Sequence, residues 1–222
     1  MNKKIIISVL VVILIILAIL VYFITKKGAN SNEKQNVQEN AQTEQKEENK
    51  EEKSMYSSGK HHAQIVIKNY GTISLELDAD MAPITVENFA NLVNKGFYDG
   101  LTFHRIISGF MIQGGDPEGN GLGGSDKEIK GEFSANGVKN TISHTRGVIS
   151  MARAQSYNSA SSQFFIMHKD APYLDGSYAA FGHVTEGIEI VDKICEDTKV
   201  EDSNGTVLKE NQPVIEKIVM ID

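Results

Sequence analysis

Phe103-His104-Arg105-Ile106-Ile107-Ser108-Gly109-Phe110-Met111-Ile112-Gln113-Gly114-Gly115-Asp116 is the stretch on which the reading of this chain turns. Phe103 to Ile107 and Met111 to Gly114 each read as a short strand, and their alternation sets a cation, Arg105, and an amide, Gln113, among apolar neighbours. An isolated arginine in a strand ordinarily pairs with a carboxylate and does no chemistry, so the rest of the chain must say whether these two polar groups have a further use. His104 should face the opposite side of a pleated strand from Arg105, where a hydrogen-bonded structural role suits it better than that of a general base.

Outward from this stretch, residues 63–67 and 72–77 alternate apolar and polar around Asn69, Tyr70 and Gly71, which reads as a hairpin. Val86, Phe89, Ala90 and Val93 fall at i, i+3, i+4 and i+7, predicting a helix from Thr85, as its cap, to Lys95, with Gly96 as the stop. Further strands are expected over 148–152, 163–167, 181–184 and 214–221, with a second helix over 188–195. Eight strands and two helices fit a mainly β fold, a closed antiparallel β-barrel capped by two α-helices. No repeat is visible, and the Gly-rich connections are too irregular for a propeller or solenoid.

A second unusual run, Ser162-Gln163-Phe164-Phe165-Ile166-Met167, continues through Ala171-Pro172-Tyr173-Leu174-Asp175-Gly176 and ends at Phe181-Gly182. Ser150-Met151-Ala152-Arg153-Ala154 lies between the two stretches. In this order, and from Ala63 to the carboxyl end, the pattern resembles the cyclophilin family of peptidyl-prolyl cis-trans isomerases. The resemblance implies an eight-stranded barrel with a shallow peptide groove on its outer face, proline-containing polypeptides as substrates, and no metal or other cofactor. Position by position it implies Arg105 as the catalytic residue and Phe110, Met111, Phe165 and Leu174 as the pocket for the proline ring. It sets Gln113 and Gln163 along the groove, and Ala152 with the backbone at Arg153 against the substrate main chain.

The sequence departs from the family pattern at the rim. Tyr173 stands where many eukaryotic members carry Trp, which bears on binding of the inhibitor cyclosporin more than on catalysis. Tyr178 stands where they often carry His; its phenol still covers the pocket and offers a hydrogen bond, so altered specificity is expected rather than lost activity. Arg153 replaces an Asn of many relatives at a place where the backbone makes the contact.

The amino-terminal quarter has a different composition. Ile5 to Ile24 is apolar except for Ser8, and at ~1.5 Å per residue the run matches a hydrocarbon core of ~30 Å. It ends in Tyr22-Phe23-Ile24-Thr25-Lys26-Lys27 without a small-residue cleavage site, so residues 1–27 are expected to be an uncleaved signal-anchor helix crossing the cell membrane once. Lys3 and Lys4 nearly balance Lys26 and Lys27, and the α-amino group tips the amino end inside, which places the folded part on the extracytoplasmic side. Residues 28–60, rich in Asn, Gln, Glu, Lys and Ser, bury too little to order and read as a tether reaching about 30 Å. The folded domain is then 61–222.

Charge and motifs exclude several other classes. The chain carries −7 overall, and the folded part holds thirteen Lys plus Arg against twenty-two Asp plus Glu, so it repels phosphate backbones and nucleic acid is not expected as a partner. Cys195 is the single cysteine, read as a buried apolar thiol on a helix, and no Cys/His spacing suggests zinc. Gly119-Asn120-Gly121-Leu122-Gly123-Gly124 fits G-x-G-x-x-G, yet charged residues follow it instead of an apolar helix, so it reads as a rim loop and not a nucleotide cradle. His61-His62 reads as a solvated domain edge, and Asn204-Gly205-Thr206 as a turn. No nucleophile elbow or Ser/His/acid cluster supports a hydrolase. The expected protein is a monomeric isomerase that helps extracytoplasmic polypeptides fold; the competing reading is a non-catalytic Pro-peptide binding module, a chaperone or scaffold on a membrane tether.

Overall fold

Two faces of one sheet are apolar, and that shapes the domain. The computed structural model describes residues 55–222. In it β1 (Lys60–Ile67) and β2 (Gly71–Asp78) form the expected hairpin, with Ile65 opposite Ile73 and the side chains of Ala63, Ile65, Ile67, Ile73, Leu75 and Leu77 buried on one face. The remaining strands are β3 (Thr102–Ile107), β4 (Met111–Asp116), β5 (Val148–Met151), β6 (Phe164–Met167), β7 (Ala180–Glu186) and β8 (Ile215–Met220). All eight pair antiparallel in the order β3-β4-β6-β5-β7-β2-β1-β8.

The closed barrel expected from the strand count is drawn together at one end rather than along a full ladder. Thr102 on β3 bridges Val214, the Phe103 N–H donates to the Pro213 carbonyl (3.0 Å), and the Ile215 N–H to that of Leu101 (2.8 Å). Beyond that point the outer edge of β3 is taken by the loop 202–207: the Ile106 N–H donates to the Gly205 carbonyl (2.8 Å) and the Val207 N–H to that of His104 (3.1 Å). Covering an edge in this way satisfies its backbone groups without another strand. Position 205 must be glycine, since its φ is +79° and an added Cβ would lie 2.3 Å from the Ile106 carbonyl oxygen.

Inside the curl, Phe89, Tyr98, Phe103, Phe164 and Phe181 form an aromatic core; the Phe89 ring sits 5.3 Å from both Tyr98 and Phe181 and 5.8 Å from Phe164. Phe89 comes from α1 (Pro83–Asn94), whose buried stripe of Val86, Phe89, Ala90 and Val93 is the one read from spacing. Its start differs from the expectation at Thr85. Pro83 occupies the first turn, where its missing N–H is harmless, and the cap arrives from far along the chain. The buried carboxylate of Glu132 accepts the N–H groups of Ile84 (3.1 Å) and Thr85 (2.8 Å) and the Thr85 hydroxyl (2.7 Å). The second helix, α2, runs Ile188–Asp197 and packs Ile190, Val191 and Ile194 inward.

The fold also begins earlier than residue 61. Lys60 opens β1, and Tyr56 is buried in the core, edge-on to His61 (5.1 Å, 72°) and accepting a hydrogen bond from Asn94 Nδ2 (3.3 Å). His61 is thus buried and not a solvated edge, while His62 pairs with Asp222 (2.7 Å). The anchor expected over 1–27 and most of the tether lie outside the described residues. Among the described residues no helix is long and apolar enough to cross a membrane.

Candidate functional site

A pleated strand sends consecutive side chains to opposite faces, and β6 uses this to build two cores at once. Phe164 joins the interior cluster, whereas Phe165 joins Met111, Val148, Met167, Ala171 and Ala180 on the outer face. Phe110, Leu174, Tyr178 and Ala152 pack against this second cluster from its margin. Of these residues Phe110, Met111, Ala152, Phe165, Leu174 and Tyr178 floor a cavity of about 500 Å³ on the outside of the sheet, with the others packed beneath them.

Arg105 stands over one side of that floor. It lies opposite Gln113 in the β3–β4 ladder, and its Nη1 donates to Gln113 Oε1 (3.2 Å). Its Nε donates to the Asn204 carbonyl (2.8 Å) and its Nη2 to Asn204 Oδ1 (3.2 Å). Gln113 Nε2 in turn donates to Gln163 Oε1 (2.9 Å), and Gln163 Nε2 to the Gly123 carbonyl (2.7 Å). The chain of amides fixes each donor and acceptor in one sense. Burial lowers the Arg105 guanidinium from its ordinary value, opposed by Tyr178 and Asp202; an arginine so placed stays charged.

The opposite wall is held by Arg153. Its guanidinium carbon lies 4.7 Å from the Tyr178 ring centre, 5.1 Å from Tyr157 and 5.3 Å from Phe133. Its N–H groups donate to the carbonyls of Ser177, Ala154 and Gln155 (2.9–3.2 Å). Arg153 therefore contributes a side-chain cage that fixes Tyr178, which the sequence reading had left to the backbone alone.

Of the residues singled out from sequence, Arg105, Phe110, Met111, Gln113, Ala152, Arg153, Phe165, Leu174 and Tyr178 line this one cavity. Gln163 lines an adjoining hollow that shares Gln113, Gly121, Ala152 and Arg153 with it. Tyr173 is 72% exposed and lies outside the cavity, stacked on Phe110 with ring centres 6.2 Å apart.

His104 and Asn204 were missed as lining residues. A bulge explains the first. Phe103 pairs with Gly114 and Arg105 with Gln113, so His104 is the extra residue and turns towards the cavity instead of alternating away. It is buried with neither ring nitrogen meeting a protein hydrogen-bond partner, unlike the hydrogen-bonded role expected of it. Burial lowers its pKa, and the charge of Arg105 adds to that; Asp116 opposes. Asp116 itself organises the rim by accepting the N–H groups of Glu118 (2.9 Å), Asn120 (3.0 Å) and Gly121 (2.6 Å). Burial would raise the Asp116 carboxyl, but these backbone donors outweigh it and hold it below its ordinary value. Gly119–Gly121 is thus a rim loop tied to one carboxylate. Among the described residues no group of three or more His, Cys, Asp or Glu could hold a metal.

Residues 62–220 match the family model described as cyclophilin type peptidyl-prolyl cis-trans isomerase/CLD. Over 145 residues the chain is 43% identical to peptidyl-prolyl cis-trans isomerase B of Bacillus subtilis, covering 65% of this chain and 92% of that protein. It is 48% identical over 128 residues to a peptidyl-prolyl cis-trans isomerase of Helicobacter pylori, covering 57% of this chain and 76% of the relative. Among solved structures it resembles a cyclophilin type peptidyl-prolyl cis-trans isomerase of Cryptosporidium parvum in the presence of the dipeptide Ala-Pro. The TM-score is 0.64 at 32% identity, over 72% of this chain and 99% of the other.

Proposed function

The chain belongs to the cyclophilin-type peptidyl-prolyl cis-trans isomerase family, and we propose that its groove clamps the proline ring on Phe110, Met111, Phe165 and Leu174 while Arg105 stabilises the twisted amide. The X-Pro bond rotates over a barrier of ~18–20 kcal/mol, because twisting breaks the conjugation of nitrogen with carbonyl. In the twisted form the proline nitrogen is pyramidal, with a lone pair that accepts a hydrogen bond it cannot accept when planar. A guanidinium aimed there binds the transition state better than either planar state. One charge-assisted hydrogen bond of ~1.5–3 kcal/mol is worth about one to two decades of rate. The rest comes from fixing the ring while the preceding carbonyl swings.

The observation that carries this reading is where Arg105 spends its donors. Among the described residues all three of its hydrogen bonds go to neutral oxygens, two on Asn204 and one on Gln113, and none to a carboxylate. Its charge is held in place beside an apolar floor, with Asp202 near enough to act on it but not hydrogen-bonded to it. A structural arginine of the ordinary kind would be paired off. The Ala-Pro dipeptide named with the Cryptosporidium parvum structure supports proline peptides as the ligand class here.

The wider setting belongs to the same proposal. The apolar run Ile5–Ile24 anchors the chain in the cell membrane, the polar segment after it tethers a monomeric domain outside the cytoplasm, and the substrates are proline-containing chains folding there. Protease accessibility of the domain in intact cells tests the orientation.

The test of the chemistry is exchange NMR of a short X-Pro peptide with the full chain in detergent, wild type against Arg105→Ala. A fall of about tenfold or more in kcat/KM with the peptide still bound supports the role of Arg105. Equal rates would refute it.

A further inference from the structure

The β3–β4 turn carries Phe110 into the groove, and it is gripped from behind. Ile107 pairs with Met111, and the Phe110 N–H donates to the Ile107 carbonyl (2.9 Å), leaving Ser108 and Gly109 at the tip. Gly109 has φ +82°, the left-handed conformation that a turn of this shape requires at its third position. Its N–H finds no partner within the turn. It donates instead to Nδ1 of His168 (2.8 Å), just past the end of β6.

That contact fixes the histidine tautomer. A backbone N–H only donates, so Nδ1 carries the lone pair and the proton sits on Nε2. Nε2 lies 3.1 Å from Asp192 Oδ1 on α2, and the other oxygen of Asp192 takes Nη2 of Arg146 (2.7 Å). Arg146 also donates through Nη1 to the His168 carbonyl (2.7 Å), and its own N–H to Asp170 Oδ1 (2.7 Å). Meanwhile the Phe110 carbonyl accepts the N–H groups of both His168 (2.9 Å) and Lys169 (3.3 Å). His168 thus holds the turn with backbone and side chain together, and its ring is steered by a salt bridge on the far side from the groove.

We infer that His168 is a positioning residue for the isomerase reaction: its Nδ1, oriented by Asp192 and Arg146, pins the Gly109 amide and so sets the place of the Phe110 wall of the proline pocket. This rests on the groove being the proline site. Phe110 touches the ring in both planar and twisted states, so a loosened wall weakens ground-state and transition-state binding alike, raising KM while kcat holds.

Two amide substitutions separate pinning from general support. Asn sets a carbonyl oxygen near the place of Nδ1 but cannot reach Asp192. Gln reaches Asp192 but carries no atom at the Nδ1 position. In the full chain in detergent, His168→Gln should raise KM for an X-Pro peptide about three- to tenfold, the loss of one hydrogen bond, with His168→Asn within about twofold of wild type. In 15N-glycine-labelled protein the Gly109 amide should exchange faster in His168→Gln and at the wild-type rate in His168→Asn. Should His168→Gln fail to fold, Asp192→Ala, which removes the acceptor of the Nε2 proton at a half-buried site, should raise KM in the same direction by a smaller factor, with kcat held. If Gln and Asn change KM equally, or neither does, the inference is overturned. If wild type itself turns over no peptide, the isomerase reading falls instead, and the same comparison is read from peptide dissociation constants by titration.

Discussion

Gln113 turns its side-chain oxygen to Arg105 at 3.2 Å and its nitrogen to Gln163 at 2.9 Å. The amide is thereby locked as acceptor towards the guanidinium and leaves its positive charge unneutralised. Gln113→Glu, nearly the same shape, would set a carboxylate there. Its field would oppose the one proposed to favour the twisted amide, so kcat/KM should fall about tenfold with the thermal midpoint little changed. Exchange NMR with melting curves measures both; unchanged turnover would count against an electrostatic role for Arg105.

Glu132 supports α1 and has no contact with the groove. Glu132→Ala leaves the N–H groups of Ile84 and Thr85 and the Thr85 hydroxyl without their acceptor. The expected loss is about 2–3 kcal/mol of unfolding free energy by urea titration, with kcat of the folded fraction preserved. A loss under half of the lower figure would mean that α1 caps itself.

Mild acid should loosen the domain through two buried histidines. His104 and His144, the latter buried between Asp175 (2.8 Å) and the Ser150 hydroxyl of β5 (3.0 Å), both have lowered values: for each the leading cause is burial, joined at His104 by the charge of Arg105, with Asp116 and Asp175 respectively opposing. The sign follows from the protons bound. Below about pH 6.5 the unfolded chain takes up protons that the folded one refuses, so stability is whole above that pH and declines as pH falls through the lowered folded values. Asp175 and Asp116, held below 3.8, act in the same direction only at lower pH. Urea midpoints at pH 7.5 and 5.5 check this, and a flat profile would contradict the buried, neutral state of the two rings.

Cys195 should be a poor nucleophile. Burial, helped by Asp192, pushes its thiol up to about 12. Alkylation by iodoacetamide at pH 8 should be at least about tenfold slower in the native protein than in urea, where an ordinary thiol is partly ionised. Equal rates in the two states would show the side chain to be open.

What was legible in the sequence was local. Spacing found the β1–β2 hairpin and the buried face of α1, and the resemblance carried by the two quoted stretches pointed to residues that line one cavity. What was hidden came from far away in the chain or from a break in regularity. The cap of α1 is Glu132, 47 residues beyond Thr85, so no local pattern announces it. Asn204 reaches Arg105 across 99 residues, because its loop lies along an edge strand where another strand was expected. His104 sits in a bulge, and a bulge breaks the period-two rule by which its direction was judged. Tyr56 looked like part of a polar tether until the packing of His61 gave it a place.

Phe164 and Phe165 are neighbours in sequence and back each other through a single thickness of sheet. The interior core and the groove floor are therefore one wall seen from its two sides, with no layer between to absorb a change. A deletion of one residue in β6 would trade the two rings, turning a core side chain outward and a pocket side chain inward.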